Sequence, residues 1–242
     1  MIALTLEYAD KLLMGAWVTL QLTLIPVIIA ACLALPLAIL RNNKNPWAQT
    51  PIRLFVSFFR GTPLLAQLFL VYYGSGQFRE ELQAIGLWWF FREPIYCALL
   101  AFTLNSTAYQ IEIMRGGLQS VNSGEIEAGM ACGMNPWTLY RRIILPNAYR
   151  IAFPALGNEV ILMLKGGAVA SVITLLDIMG HTRRAFSQTF DINIYFIAAI
   201  LYLLITTLFV LFWRWLEGRL THHLNHSEHR SVIAARGMPA VN

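Results

Sequence analysis

Charge is what this sequence has little of. Only 13% of its 242 residues are Asp, Glu, Lys or Arg, against 57% hydrophobic, too few to cover a globule of that size, which excludes an ordinary soluble domain. Cysteine is scarcer still: Cys32, Cys97 and Cys132 lack metal-type spacing or an obvious disulfide partner and read as small apolar fillers. No glycine-rich loop of the Walker type is present to cradle a nucleotide, and no set of nucleophile, base and metal ligands has workable spacing. Neither an ATPase nor a membrane enzyme is therefore expected, and no cofactor or metal. There is no internal repeat, and no cationic stretch followed by a cleavage site at the start, so the first apolar run is expected to be a retained span.

What the sequence has instead is long apolar stretches. A bilayer core needs about 20 mainly apolar residues whose backbone groups bond internally, and five segments qualify, at 12–40, 54–73, 94–113, 151–176 and 192–213. The expected fold class is an all-α integral membrane protein with about five transmembrane helices and membrane lipid around it. The first run exceeds a minimal span, so it should tilt, or bend at Pro26 or Pro36. Basic residues flanking the spans set the orientation. With the N-terminus outside and the C-terminus cytoplasmic, the inner segments hold Arg41, Lys44 and Arg53, then Arg115, Arg141, Arg142 and Arg150, then Arg214, Arg219, Arg230 and Arg236, and most acidic residues fall outside. The net charge of +5 reflects this bias and not a nucleic-acid partner. Residues 1–220 are read as one transmembrane domain and 221–242 as a polar tail; exposed histidines there, at 222, 223, 226 and 229, lack the fixed geometry of a metal site.

The longest inner segment, 115–150, carries helix punctuation and not linker composition. Asn122 followed by Glu125 predicts a capping box, and Gly133 a helix end. Asn135 and Pro136 start a second helix that Pro146 is expected to stop. Within this helix, turn and helix run Glu127-Ala128-Gly129, then Gly133, then Ile143-Ile144-Leu145-Pro146. That spacing resembles the Glu-Ala-Ala, Gly, Ile-x-Leu-Pro signature of the membrane subunits of bacterial ABC importers, with Gly129 in place of the second Ala. Phe59-Arg60-Gly61-Thr62-Pro63-Leu64-Leu65 with Gln67, Leu104-Asn105 with Ala108-Tyr109, Glu112-Ile113, Arg115-Gly116-Gly117 and Asn158-Glu159-Val160-Ile161 with Lys165 narrow the resemblance to the polar amino acid permeases. Among these the chain is similar to the longer membrane subunit of histidine, basic amino acid or opine systems.

The resemblance implies a type I ABC importer transmembrane fold in a bacterial inner membrane. It also implies two ATPase subunits, a second related permease subunit and a periplasmic substrate-binding protein as partners, with ATP and Mg held by the ATPases. Glu127, Ala128, Gly129, Gly133, Ile143, Leu145 and Pro146 would then form the ATPase-coupling segment, and solute would cross by alternating access.

An ionisable group inside a span costs a few kcal/mol and usually faces a cavity or a partner. Glu159, flanked by Asn158, is the clearest case, a carboxylate suited to the ammonium or guanidinium of an amino acid in transit. Lys165 lies roughly 240° around the same helix and is poorly placed to pair with it. Asn105, Tyr109 and Glu112 recur at i, i+4 and i+7 as a polar stripe. Asn105 and Tyr109 serve equally as solute contacts or as interhelical hydrogen bonds; Glu112 suits an ion pair with Arg115. Arg60 to Pro63 read as a helix start with an interfacial cation, and Trp213 and Trp215 as interfacial anchors. The rival reading is an ion-gradient-driven secondary transporter with Glu159 as its ion site, though such folds usually carry more spans and internal symmetry.

Overall fold

The computed structural model describes residues 2–43 and 45–221. Lys44 and all of the expected tail beyond Thr221, with its four histidines, lie outside the described residues. Among those described there is no strand.

Helix α1 (Ile2–Arg41) keeps one continuous course with Pro26 and Pro36 inside it. The hydroxyls of Thr19 and Thr23 donate to the carbonyls of Gly15 and Thr19, 2.9 and 2.8 Å away, so even the buried polar groups of this helix are satisfied locally. Helix α2 (Pro46–Gly61) starts with the Asn45 side chain accepting from the Trp47 N–H. It ends where Thr62 turns extended, at φ −115° and ψ 147°, because the ring of Pro63 keeps the preceding residue out of the helical region. Helix α3 (Leu64–Gln77) then leaves at 103° to α2. The span expected at 54–73 is thus broken into two helices. An average over hydropathy passes straight across an X-Pro break, whereas the expected helix start at Arg60 to Pro63 coincides with the beginning of α3.

Short helices α4 (Arg79–Ala84) and α5 (Trp88–Phe91) fill the next connection, where Phe90 stacks on Tyr96 with ring centroids 5.3 Å apart. Helix α6 (Pro94–Gln119) is the centre of the bundle, its middle formed by buried Thr103, Asn105, Ser106, Thr107 and Gln110. Those residues keep it from qualifying as a span by apolarity, so among the described residues that test alone finds three spanning helices, or four with the bent α2–α3 pair. It is enclosed by its neighbours and needs no lipid-compatible surface in the middle.

Beyond α6 come α7 (Ser123–Ala131), α8 (Pro136–Leu139) and, after a π-helical turn at Tyr140–Ile144, α9 (Leu145–Gly166). Pro146 does not stop a helix as expected. The π-helical turn widens the ladder just ahead of it, with the Leu145 N–H reaching the Tyr140 carbonyl, so the ring is accommodated and the helical course runs on to Ile173. Helix α10 (Ile178–Thr189) lies in what the sequence left as an external connection, capped by the Asp177 side chain, and α11 (Asn193–Thr221) follows.

Named contacts fix the directions. Arg41 and Asn42 at the end of α1 meet Glu112 and Gln119 at the end of α6, so these two run parallel. A Cβ on Gly117 would sit 2.5 Å from the Ala148 carbonyl oxygen, while Phe102 lies near Gly167, so α9 returns antiparallel. Trp213 of α11 stacks on Phe153, with centroids 4.5 Å apart, and donates to its carbonyl at 3.1 Å; Ala198 packs with Ile178, so α11 runs with α6. Trp213 is therefore a packing residue, with Gly157 leaving the space its indole occupies; Trp215 remains exposed beneath Arg219. With α3 descending beside α6, its Leu68 clustered with Ala98 and Ala101, the described residues make five alternating passes, and the start of α1 and the end of α11 lie at opposite ends of the bundle.

Candidate functional site

Two places in this frame carry the residues singled out by sequence. The first is a cavity of about 250 Å³ in mid-bundle, lined by Leu64, Asn105, Tyr109, Glu159, Leu162 and Met163. Its volume is just below the roughly 300–1,000 Å³ of pockets for larger ligands. Three helices supply the wall because α3 starts at the break, α6 runs beside it and α9 faces both.

Glu159 is the only carboxylate among the residues lining it. It is 5% exposed, and Ser106 of α6 donates its hydroxyl proton to Oε1. Asn105 lines the cavity and also holds the α2–α3 break together. Its amide donates to the Phe59 carbonyl at 3.2 Å and to Gln67 Oε1 at 2.9 Å. Gln67 in turn donates to the carbonyls of Phe59 and Thr62, at 2.8 and 3.0 Å, and to the Thr62 hydroxyl at 2.8 Å. Pro63 has no N–H for the Phe59 carbonyl, and these two side chains supply what the backbone lacks. The Tyr109 ring lies under the Arg60 guanidinium, 5.3 Å from its centroid.

The polar stripe therefore divides its labour. Asn105 and Tyr109 reach the cavity, while Glu112 gathers Arg41, Arg115 (2.9 Å) and Arg60 (3.8 Å) at one end of the bundle. Asn158 is exposed and does not line the cavity, since adjacent helical positions point about 100° apart. Lys165 is exposed in the last turn of α9. Sequence reading missed Ser106, the group that holds Glu159, and named Gln67 only within the family resemblance, not as the partner that holds Asn105. Their signal was burial of small polar side chains one position from, or one break away from, the stripe.

The second place is the turn between α7 and α8. Asn122 caps α7 by accepting from the Gly124 N–H at 2.8 Å. Glu125 does not close the expected capping box and bonds instead to Asn147 Nδ2 at 2.5 Å, tying α7 to the start of α9. At the other end Gly133 adopts φ +76°, with its N–H on the Met130 carbonyl at 2.9 Å and the Met134 N–H on the Gly129 carbonyl at 3.1 Å. This is a Schellman motif, and its left-handed residue is glycine because a Cβ is costly there. Asn135 then caps α8 by accepting from the Thr138 N–H. Gly129 is buried; a Cβ there would lie 2.6 Å from Leu139 Cδ1 and 2.9 Å from Ile143 Cδ1, so Gly129 and Ile143 meet across the turn, with Leu145 and Pro146 opening α9. Glu127 and Ala128 face outward, as do Met130 and Trp137, 55% and 73% exposed. The segment is a fixed hairpin of helices with its outer face uncovered.

Residues 27–222 match the family of binding-protein-dependent transport system inner membrane components. The chain belongs to that family. It is 44% identical over 206 residues to the nopaline transport system permease protein of Agrobacterium fabrum (strain C58), spanning 85% of this chain and 86% of that one. Over 214 residues it is 42% identical to the histidine/lysine/arginine/ornithine transport system permease protein of Escherichia coli (strain K12), spanning 88% and 90%. A crystal structure of an amino acid ABC transporter with histidines superimposes with a TM-score of 0.79 at 31% identity, covering 90% of this chain and 98% of that one. The methionine ABC transporter in an inward-facing conformation has the same fold, with a TM-score of 0.73 at 16% identity. As a permease component of such a system, the chain is a multi-pass inner membrane protein that works with an ATPase and a solute-binding protein.

Proposed function

We propose that this chain is the permease subunit of an ATP-driven importer of amino acids, with cationic amino acids or opines as solutes, and that the cavity at Glu159 is where solute pauses in transit. The observation that carries this is one buried carboxylate facing a cavity of about 250 Å³ beside Asn105 and Tyr109. A carboxylate with one oxygen already held by Ser106 is set to receive an ammonium or guanidinium. Relatives named for nopaline, octopine and arginine transport, and for histidine, lysine, arginine and ornithine, support the solute class.

In this reading the helical hairpin at Ser123–Leu139, with Glu127, Ala128, Gly129 and Gly133, and with Ile143, Leu145 and Pro146 behind it, docks on the ATPase. Met130 and Trp137 give it apolar contact area. The gathering of Arg41, Arg60 and Arg115 at the same end of the bundle supports a cytoplasmic placement of that end and an external N-terminus. A second, related permease subunit completes the pathway, ATP hydrolysis resides in the partner, and alternating access moves the solute. Residues 1–220 act as one transmembrane domain, and Asn158 plays no part in the cavity.

Glu159→Gln in the assembled complex, reconstituted in vesicles with its binding protein and radiolabelled arginine, tests the reading. Uptake should fall at least tenfold at low solute while the ATPase still co-purifies. Uptake kinetics equal to the parent's would remove Glu159 from the pathway.

A further inference from the structure

Glu159 is held from behind by residues that do not touch the cavity. Ser106 is fully buried and Gln110 is 2% exposed, and neither lines the space at Leu64, Tyr109 and Glu159. The Gln110 amide nitrogen donates in two directions, to the Val27 carbonyl of α1 at 3.1 Å and to Ser106 Oγ at 3.1 Å. Ser106 then donates its one proton to Glu159 Oε1.

The order of donors in this chain is fixed at both ends. Val27 offers a backbone carbonyl, which only accepts, so Gln110 must present its NH2 and not its oxygen toward α1. The second N–H of that group points at Ser106 Oγ, which is thereby an acceptor from Gln110 and has its hydrogen left for Glu159. Reverse the amide, and its oxygen would face the Val27 carbonyl. Oε2 of Glu159 has no hydrogen-bond partner among the described residues, and the residue itself lines the cavity.

We infer that Ser106 and Gln110 are positioning residues for solute recognition: through a one-way hydrogen-bond chain anchored on α1 they hold Glu159 turned so that one oxygen meets the cation of the solute. This rests on the reading of Glu159 as the solute-contacting carboxylate. The same chain makes α1, α6 and α9 joint owners of the site, although α1 contributes no side chain to its wall.

The test is equilibrium binding of radiolabelled arginine to the purified complex of permease and ATPase subunits, without the binding protein, for Ser106→Ala, Gln110→Met, Ser106→Thr and Glu159→Gln. Gln110→Met keeps the shape and loses the donors. Ser106→Ala should weaken binding about tenfold, the loss expected for one hydrogen bond to a charged group, and Gln110→Met, whose partners are neutral, roughly fivefold. Co-purification with the ATPase should stay at the parental level, and Ser106→Thr, which keeps the hydroxyl, should bind more tightly than Ser106→Ala. Ser106→Ala placed on top of Glu159→Gln should add little, because its only route to the solute is already lost. Parental affinity in Ser106→Ala and Gln110→Met beside a weakened Glu159→Gln would overturn the positioning role and leave the site reading standing. Parental affinity in Glu159→Gln itself would overturn both.

Discussion

Gly133 offers a graded test of whether the helical hairpin must be rigid to work. Its φ of +76° is left-handed, yet a Cβ there would meet nothing within 4 Å. The cost of a side chain is therefore purely conformational. For an ordinary L-residue it is about 1–2 kcal/mol, less for Asn, which tolerates this region, and more for a β-branched residue. Helix α7 has only nine residues, too few to be stable alone, so a penalty of that size opens the turn and releases both Schellman hydrogen bonds. At about 1.4 kcal/mol per factor of ten, Gly133→Val raises the open population by roughly ten- to thirtyfold. Amide hydrogen exchange across Ser123–Leu139 should rise in the order Gly, Asn, Ala, Val, and solute-stimulated ATPase activity should fall in the same order while the protein stays in the membrane. Full coupling in a Val variant whose exchange shows the turn open would refute the claim that a fixed hairpin transmits the ATPase stroke.

Gly129→Ala should change stability by less than about 1 kcal/mol, since the helix-propensity gain is offset by shifting the flexible ends of Leu139 and Ile143; a thermal melt of the complex measures it. Gly157→Ala forces the Trp213 indole off α9, losing its stacking on Phe153 and its hydrogen bond, and should destabilise by about 2–4 kcal/mol, read as a shift in Trp emission and in the melting temperature. Gln67→Leu leaves the Thr62 carbonyl unpartnered and the Phe59 carbonyl to Asn105 alone, at about 1–3 kcal/mol, and should be seen as faster proteolysis between α2 and α3.

The passes themselves were legible because lipid demands length and apolarity, and residues 12–40 and 192–213 carry little else. What escaped was backbone behaviour governed by one or two residues. Thr62-Pro63 turns a corner inside a hydropathy peak, whereas Pro146, with the same ring, is absorbed by a π-helical turn that no pattern announces. At the cavity, Glu159, Asn105 and Tyr109 stood out as polar groups in apolar surroundings. Ser106 and Gln110 did not, because their roles are set by partners 53 and 83 positions away in the chain. Asn158 shows the converse: proximity to Glu159 along a helix turned it outward.

The corner between α2 and α3 gives the molecule an elbow. Ile52 and Val56 on its outer arm share one apolar cluster with Leu139 of the hairpin and Ile144 of the π-helical turn behind it, and close-packed interiors transmit strain. The joint itself is pinned by Asn105, a residue of the cavity wall. A shove on the hairpin thus has a short mechanical route to the cavity at Glu159, travelling by way of α2.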